Sequence, residues 1–341
     1  MKFSILLLAL SALVACIGSK KVLKEPSQIV APFDGTQFDN IEPFPDKSVF
    51  DVMLWQLKAL FVRKSWPEKV AQELFKPEVM RSNELKISVI NHATTLIQID
   101  GVNILTDPQF SERSSPLSWA GPKRVIDPGI PFGELPPIDV VVVSHDHYDH
   151  LDLPSLKRIS ERWGAKMFVG LGNKPLLEEH QIGNVIEMDW WESVDFDAVK
   201  IQFVPVQHWS ARSATDRRTT LWGGFVIHGT KRVFFAGDTG YGKVFKMIQE
   251  RVGSMDLSLI PIGAYEPRDF MKHAHVSPAE SVKIFLDTNS KKAVGIHFGT
   301  FADLTDEYID QPAIDLKKAL KLSDISEDQF IVPEFGRTYS F

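Results

Sequence analysis

From position 85 onward, short apolar runs alternate with amphipathic stretches. Residues 86–90, 95–99 and 103–106 are rich in β-branched side chains and alternate in polarity, which predicts three strands, the last ending at Asp107-Pro108. Residues 138–144 read IDVVVVS. An unbroken apolar run of this length marks a strand buried on both faces. Leu153–Trp163 has helical spacing and meets a stop at Gly164. Further strands are predicted at 166–169, 199–205, 224–227, 232–236 and 293–296, and helices at 243–251 and Pro278–Asp287. Strands alternating with helices place the chain in the mixed α/β (α+β) class.

The stretch before position 85 behaves differently. In 48–64, SVFDVMLWQLKALFVRK, the side chains Val49, Phe50, Met53, Leu57, Leu60 and Phe61 recur at helical spacing. This predicts an amphipathic helix whose wide apolar face packs on the main domain or a second copy, or touches lipid. Residues 17–46 are rich in Pro, Asp and Gly without a sustained period, and read as a tether and irregular extension. The chain opens MKFSILLLALSALVACIGSKK. One Lys precedes an apolar core too short for a bilayer span of about 20 residues, the pattern of a secretory signal peptide. Leu13-Val14-Ala15-Cys16 resembles a bacterial lipobox, which implies cleavage after residue 15 and a lipid on Cys16. Lys20, Lys21 and Lys24 then suit either anionic headgroups or a solvated linker. Ile17 in place of Asp implies, by the same resemblance, an outer-membrane destination facing the periplasm of a bacterial cell envelope. The expected organisation is a signal peptide at 1–15, a tether and helical extension at 16–84, and one main domain at 85–341.

Composition narrows the chemistry. With 44% hydrophobic and 24% charged residues the chain is globular, and 38 basic against 44 acidic side chains leave it at −6. That balance argues against a nucleic-acid partner. A single Cys excludes an internal disulfide framework and any zinc site built on several thiolates.

The strongest chemical signal is Ser144-His145-Asp146-His147-Tyr148-Asp149-His150-Leu151-Asp152, directly after the doubly buried strand. Three imidazoles and a carboxylate in six residues need separate hydrogen-bond partners if they are only structural. A shared cation satisfies them together. His208, Asp238 and His297 also fall at the ends of predicted strands.

This HxHxDH loop with a later His, Asp and His resembles the metallo-β-lactamase superfamily, which implies a four-layer αββα sandwich. The resemblance assigns His145, His147 and His208 to one metal, Asp149, His150 and His297 to a second, and Asp238 to both. Imidazole and carboxylate donors suit two Zn²⁺, with Fe or Mn as alternatives. Two such ions about 3.5–4 Å apart share a water and lower its pKa toward about 7, which implies hydrolysis of an ester-like centre.

Further motifs narrow the likeness. Asn91-His92-Ala93-Thr94, Thr106-Asp107-Pro108, Gln207-His208-Trp209, the run from Phe235 to Tyr241, the run from Ile260 to Arg268, His275-Val276 and the run from His297 to Phe301 resemble the N-acylphosphatidylethanolamine-hydrolysing phospholipase D family over about 85–340. The resemblance implies a phospholipid substrate split into N-acylethanolamine and phosphatidic acid, a membrane-associated enzyme and a homodimer. It places His275 at the substrate phosphate, as general acid or hydrogen-bond donor. Tyr148, inside the metal loop, contacts the phosphate or packs. Ala274 stands where the family carries Gln, which opens the headgroup preference. Alternatives are a hydrolase of a lactone or another phosphodiester, and a non-catalytic envelope lipoprotein. Of the remaining candidates, His92 is expected to hydrogen-bond within the site, Glu266 and Arg268 to pair, and His180 and His228 to lie on the surface, while His273, near His275, is assigned no role.

Overall fold

The computed structural model describes residues 24–341, so the signal peptide and Cys16 lie outside the described residues. The first helix, α1 (Val49–Val62), precedes the strands β1 (Lys86–Asn91), β2 (Thr94–Ile99), β3 (Val102–Thr106), β4 (Lys123–Arg124) and β5 (Val140–Val143). Then come α2 (Leu153–Trp163), β6 (Lys166–Gly170), α3 (Lys174–Glu179), β7 (Val185–Met188), β8 (Ser193–Phe196), β9 (Val199–Val204), β10 (Gly224–His228) and β11 (Arg232–Phe235). The chain finishes with α4 (Val244–Val252), β12 (Leu257–Pro261), α5 (Arg268–Met271), α6 (Pro278–Asp287), β13 (Lys292–Ile296), β14 (Phe301–Ala302), α7 (Gln311–Leu322), β15 (Phe330–Ile331) and β16 (Thr338–Ser340).

These strands build two seven-stranded sheets, ordered β16-β1-β2-β3-β5-β6-β7 and β15-β13-β12-β11-β10-β9-β8. In the first, β16, β1, β2 and β3 are mutually antiparallel, and β3, β5, β6 and β7 run parallel. The second repeats the scheme: β8 to β11 are antiparallel, and β11, β12, β13 and β15 parallel.

Alternation along each strand decides the layers. In β5, Val140 and Val142 enter the core between the sheets, where they join Ile104, Phe168, Phe203, Phe225 and Leu259. Val141 and Val143 face outward and pack with Leu156 and Ile159 of α2. On the far side, Val226, Phe234 and Ile260 meet Phe245 of α4, Phe285 of α6 and Leu316 of α7. Helices therefore cover both outer faces, giving the expected αββα sandwich. The valine run is apolar throughout because both of its faces are buried.

The segment before position 85 departs from the expected tether. From Lys24 on it lies against the sandwich, with Ala31 and Phe38 buried in the central core. Its backbone is paired: Phe38 N–H donates to the Arg218 carbonyl (2.8 Å), Val70 N–H to Val125 (2.7 Å) and Phe75 N–H to Gly129 (2.7 Å). Isolated apolar side chains plus long-range backbone bonds hold such a segment without any periodicity to announce it.

Helix α1 starts at a capping box formed by Ser48 and Asp51. It docks through Trp55, which stacks on Phe270 (4.9 Å) and donates to Asp306 (3.0 Å), and through Arg63, which pairs with Asp306 (2.8 Å). Of its apolar face, Leu57 is half-buried, whereas Phe50, Met53 and Phe61 do not pack on the main domain and are exposed, Phe61 at 89%. Among the described residues no helix is long and apolar enough to cross a membrane.

Candidate metal centre

Every residue of the centre leaves the C-terminal end of a strand or the loop after it. His145, His147, Asp149 and His150 follow β5, His208 follows β9, Asp238 follows β11, and His297 follows β13. Strands that run in the same direction end on one side of a sheet, so residues far apart in sequence are delivered to one place. The first sheet supplies four of the seven side chains and the second supplies three.

His145 Nε2 lies 2.9 Å from His147 Nδ1, which lies 3.3 Å from His208 Nε2. Three imidazole nitrogens thus converge on one point. The second group surrounds Asp149: its Oδ2 is 3.5 Å from His150 Nε2 and 3.4 Å from His297 Nε2. Asp238 stands between, with Oδ2 3.1 Å from His150 Nε2 and 3.9 Å from His208 Nε2, and Oδ1 3.0 Å from His297 Nε2. The ligand atoms within each group lie within 4.8 Å of one another.

The donor set fits a metal. His150 Nε2, His297 Nε2 and Asp238 Oδ1 are buried, close together, and without a hydrogen bond of acceptable geometry. They are near enough to share a cation and wrongly angled to share a proton. Electrostatics agree. Burial and the neighbouring imidazoles push His145 well below its ordinary value. Burial likewise lowers His147, and lowers His208 strongly despite Asp238 beside it. Burial would raise Asp149 and Asp238, but His150 and His297 overcome it and hold both carboxyls well below the usual range. Burial would lower His297, but Asp238 and Asp149 overcome it and raise it to about 9, and His150 is raised by Asp238, Asp149 and Asp107. Left to themselves, these imidazoles take up protons to balance the carboxylates. A bound cation supplies that charge instead and displaces the protons.

The ligands are held from behind. Asp107, buried at the end of β3, accepts from His150 Nδ1 (2.6 Å), from the Ser144 amide (2.7 Å) and from the Ser144 hydroxyl (2.6 Å). The carboxylate fixes the tautomer that leaves Nε2 free to coordinate. His145 Nδ1 bonds Ser144 Oγ (2.9 Å), and His208 Nδ1 donates to the Ala274 carbonyl (2.9 Å). His297 N–H donates to the His92 carbonyl (2.7 Å). Both residues have positive φ, +60° and +42°, so strained backbone is stored at the centre. Gly263 permits this approach, since a Cβ there would sit 2.2 Å from the His297 carbonyl oxygen.

The remaining candidates resolve individually. His92 Nε2 lies 3.1 Å from Asp149 Oδ2, within the expected hydrogen-bonding role, and burial lowers it to about 3. His275 Nδ1 is buried without a hydrogen-bond partner, 3.7 Å from Asp238 Oδ2. The Tyr148 hydroxyl donates to the Arg212 carbonyl (3.0 Å), and the Arg212 guanidinium lies over its ring (3.9 Å). The expected Glu266–Arg268 pair does not form: Arg268 pairs with Glu280 (2.8 Å) and donates to the His275 carbonyl (2.8 Å). Glu266 instead accepts the Arg268 amide (2.9 Å). His228 is half-buried rather than on the surface, bonded to Gln202 (2.9 Å), while His180 is exposed as expected.

Beside the centre opens a cavity of about 370 Å³. His147, Asp149, Asp238, His275 and also His273, which the sequence assigned no role, line its polar side. Its apolar wall comes from Phe44, Val52, Trp55, Phe270, Met271 and Leu304. Half of these belong to the extension before position 85, and its regular signal, α1, gave no indication that it walls the site.

Residues 102–298 match the model of the beta-lactamase superfamily domain. The chain is 39% identical over 263 residues to N-acyl-phosphatidylethanolamine-hydrolyzing phospholipase D 1 of Caenorhabditis elegans, covering 73% of this chain and 74% of that protein. It is 35% identical over 286 residues to the mitochondrial N-acyl-phosphatidylethanolamine-hydrolyzing phospholipase D of Saccharomyces cerevisiae, covering 80% of this chain and 60% of that one. Among solved structures, the metallo hydrolase Igni18 of Ignicoccus hospitalis superposes with a TM-score of 0.56 at 21% identity, over 75% of this chain and 98% of its own. At that identity the likeness is one of fold.

Proposed function

Since the chain belongs to the metallo-β-lactamase superfamily and, within it, to the family of N-acylphosphatidylethanolamine-hydrolysing phospholipases D, we propose that this metal-dependent hydrolase cleaves N-acylphosphatidylethanolamine. The products are N-acylethanolamine and phosphatidic acid. The observation that carries the reading is the seven-residue centre opening directly onto a cavity with an apolar wall. A charged phosphodiester and a long acyl chain need those two surfaces side by side.

In this reading His145, His147 and His208 hold one ion, Asp149, His150 and His297 the other, and Asp238 both. Zinc is favoured, and iron or manganese accept the same donors. When bound, such ions act as Lewis acids on the phosphoryl oxygens and lower the pKa of water. The chain's own groups do the rest. His275, with its free Nδ1 facing Asp238, donates to a phosphate oxygen. Tyr148 has its proton engaged by the Arg212 carbonyl and shapes the wall. One water is consumed: its oxygen joins phosphorus, the bond from phosphorus to the ethanolamine oxygen breaks, and that oxygen leaves with a proton.

The apolar wall, Phe44, Val52, Trp55 and Phe270, takes an acyl chain. The exposed Phe50, Met53 and Phe61 of α1 face the bilayer from which that chain is drawn. A lipid on Cys16 keeps the enzyme at a bacterial envelope membrane. A second copy covering the same face is the competing partner.

The test uses the metal-loaded full chain with N-acylphosphatidylethanolamine in detergent, products identified by mass spectrometry. Both products are expected, and Asp149→Asn should abolish them. No turnover with two ions bound would reject this substrate and favour a lactone or another phosphodiester.

A further inference from the structure

We infer that Asn40, from the extension outside the matched superfamily domain, is the positioning residue for His208, and that the arm from Phe38 to Lys47 is a working part of the metal centre. The inference rests on His208 being a metal ligand.

His208 lies beyond the end of β9, where the sheet pairing is reduced to an isolated bridge between Gln207 and Gly240 that does not include it. Asn40 supplies what a neighbouring strand would. Its Nδ2 donates to the His208 carbonyl (2.8 Å), and its Oδ1 accepts the His208 amide (3.0 Å). Only a carboxamide offers a donor and an acceptor in that fork. The side chain is buried, and Oδ1 lies 3.3 Å from Trp222 Nε1 as well. With the ring tied through Nδ1 to the Ala274 carbonyl, His208 is held at three points. Its Nε2 is then aimed at His147 and Asp238.

The arm around Asn40 is clamped to the same loop. Asp39 pairs with Arg218 (3.0 Å), and Asp46 pairs with both Arg217 (3.0 Å) and Arg218 (3.2 Å). Phe38 N–H donates to the Arg218 carbonyl. The Gln207 side chain donates to the Glu42 carbonyl (3.3 Å). Phe44 and Lys47, a few residues on, line the cavity. One short segment therefore holds a ligand and walls the substrate space.

The test is metal binding by chelator competition, with the cobalt-substituted absorption spectrum as an independent readout. Wild type should take up two ions. Asn40→Ala should weaken the ion held by His145, His147 and His208 by about 10- to 100-fold, the range seen for groups that orient ligands. The ion held by Asp149, His150 and His297 should keep its wild-type competition curve. Asn40→Asp has the same size and keeps the acceptor but loses the donor, so it should fall between. Arg218→Ala removes two of the arm's three ion pairs to this loop with Asn40 intact and should weaken the same ion, by less than Asn40→Ala. If Asn40→Ala does not fold, these two variants carry the test. Wild-type curves for both ions in the folded variants would overturn the inference. An equal fall in the melting midpoints of apo and metal-loaded protein, with both ions retained, would show a structural role and overturn it too. Failure of wild type to bind two ions would overturn the metal reading itself.

Discussion

At the scale of single residues, the centre depends on groups that never reach the substrate. Asp107 is the clearest. It is buried, takes three hydrogen bonds, and fixes His150 in the tautomer that leaves Nε2 available to a metal. Asp107→Asn can present an N–H to His150 Nδ1 and reverse that tautomer. Metal affinity at the site of Asp149, His150 and His297, and turnover with it, should fall roughly 10- to 100-fold, as read by chelator competition and product formation. Asp107 stood in plain view before a proline, in a motif shared with the family, yet nothing in spacing tied it to His150, 43 positions on. The seven candidate side chains were legible because each follows an apolar run that ends at the same side of the sandwich. Asn40 was not, since its partner is 168 positions away and its own surroundings have no period.

Most long, regular secondary-structure elements were legible, although the twelve-residue α7 was not placed. The valine run of β5, helix α2 with its Gly164 stop, and the hairpin strands all lie where alternation and periodicity placed them. Short or interrupted elements escaped. Helix α5 has four residues, too few for a period, and Ser258 and Pro261 break the pattern of β12 although all five of its positions are buried. Helix α1 shows a subtler limit. Periodicity finds an apolar face but does not say what that face meets. Here Trp55 and Arg63 do the docking, and Phe50, Met53 and Phe61 are left in solvent. Burying one such side chain is worth about 1.5–3 kcal/mol. Replacing the three together with Ser should reduce co-sedimentation with phospholipid vesicles at least about tenfold. None of the three lines the cavity, so turnover of detergent-dispersed substrate should persist. Unchanged vesicle binding would mean that this face meets a second copy instead.

At the scale of the whole molecule, the described residues build two large sheets of the same pattern beside a small two-stranded one, and the centre bridges the large pair, with four groups from one and three from the other. A cation bound there ties the halves together and is linked to folding. At a free concentration a thousand times its dissociation constant, each ion adds about 4 kcal/mol of stability. Removing the ions with a chelator should lower the calorimetric melting midpoint by several degrees, and an unchanged midpoint would place the ions outside the folding unit. The sheets are not independent, however. β16, which follows the last strand of the second sheet, crosses over to pair with β1, and Phe341 N–H donates to the Leu85 carbonyl (3.0 Å). Residues 338–341 therefore act as a selvedge, closing the border of the opposite sheet. Without that pairing, Lys86, Ile87 and Ser88 would present an open strand border that invites another chain to stitch onto it.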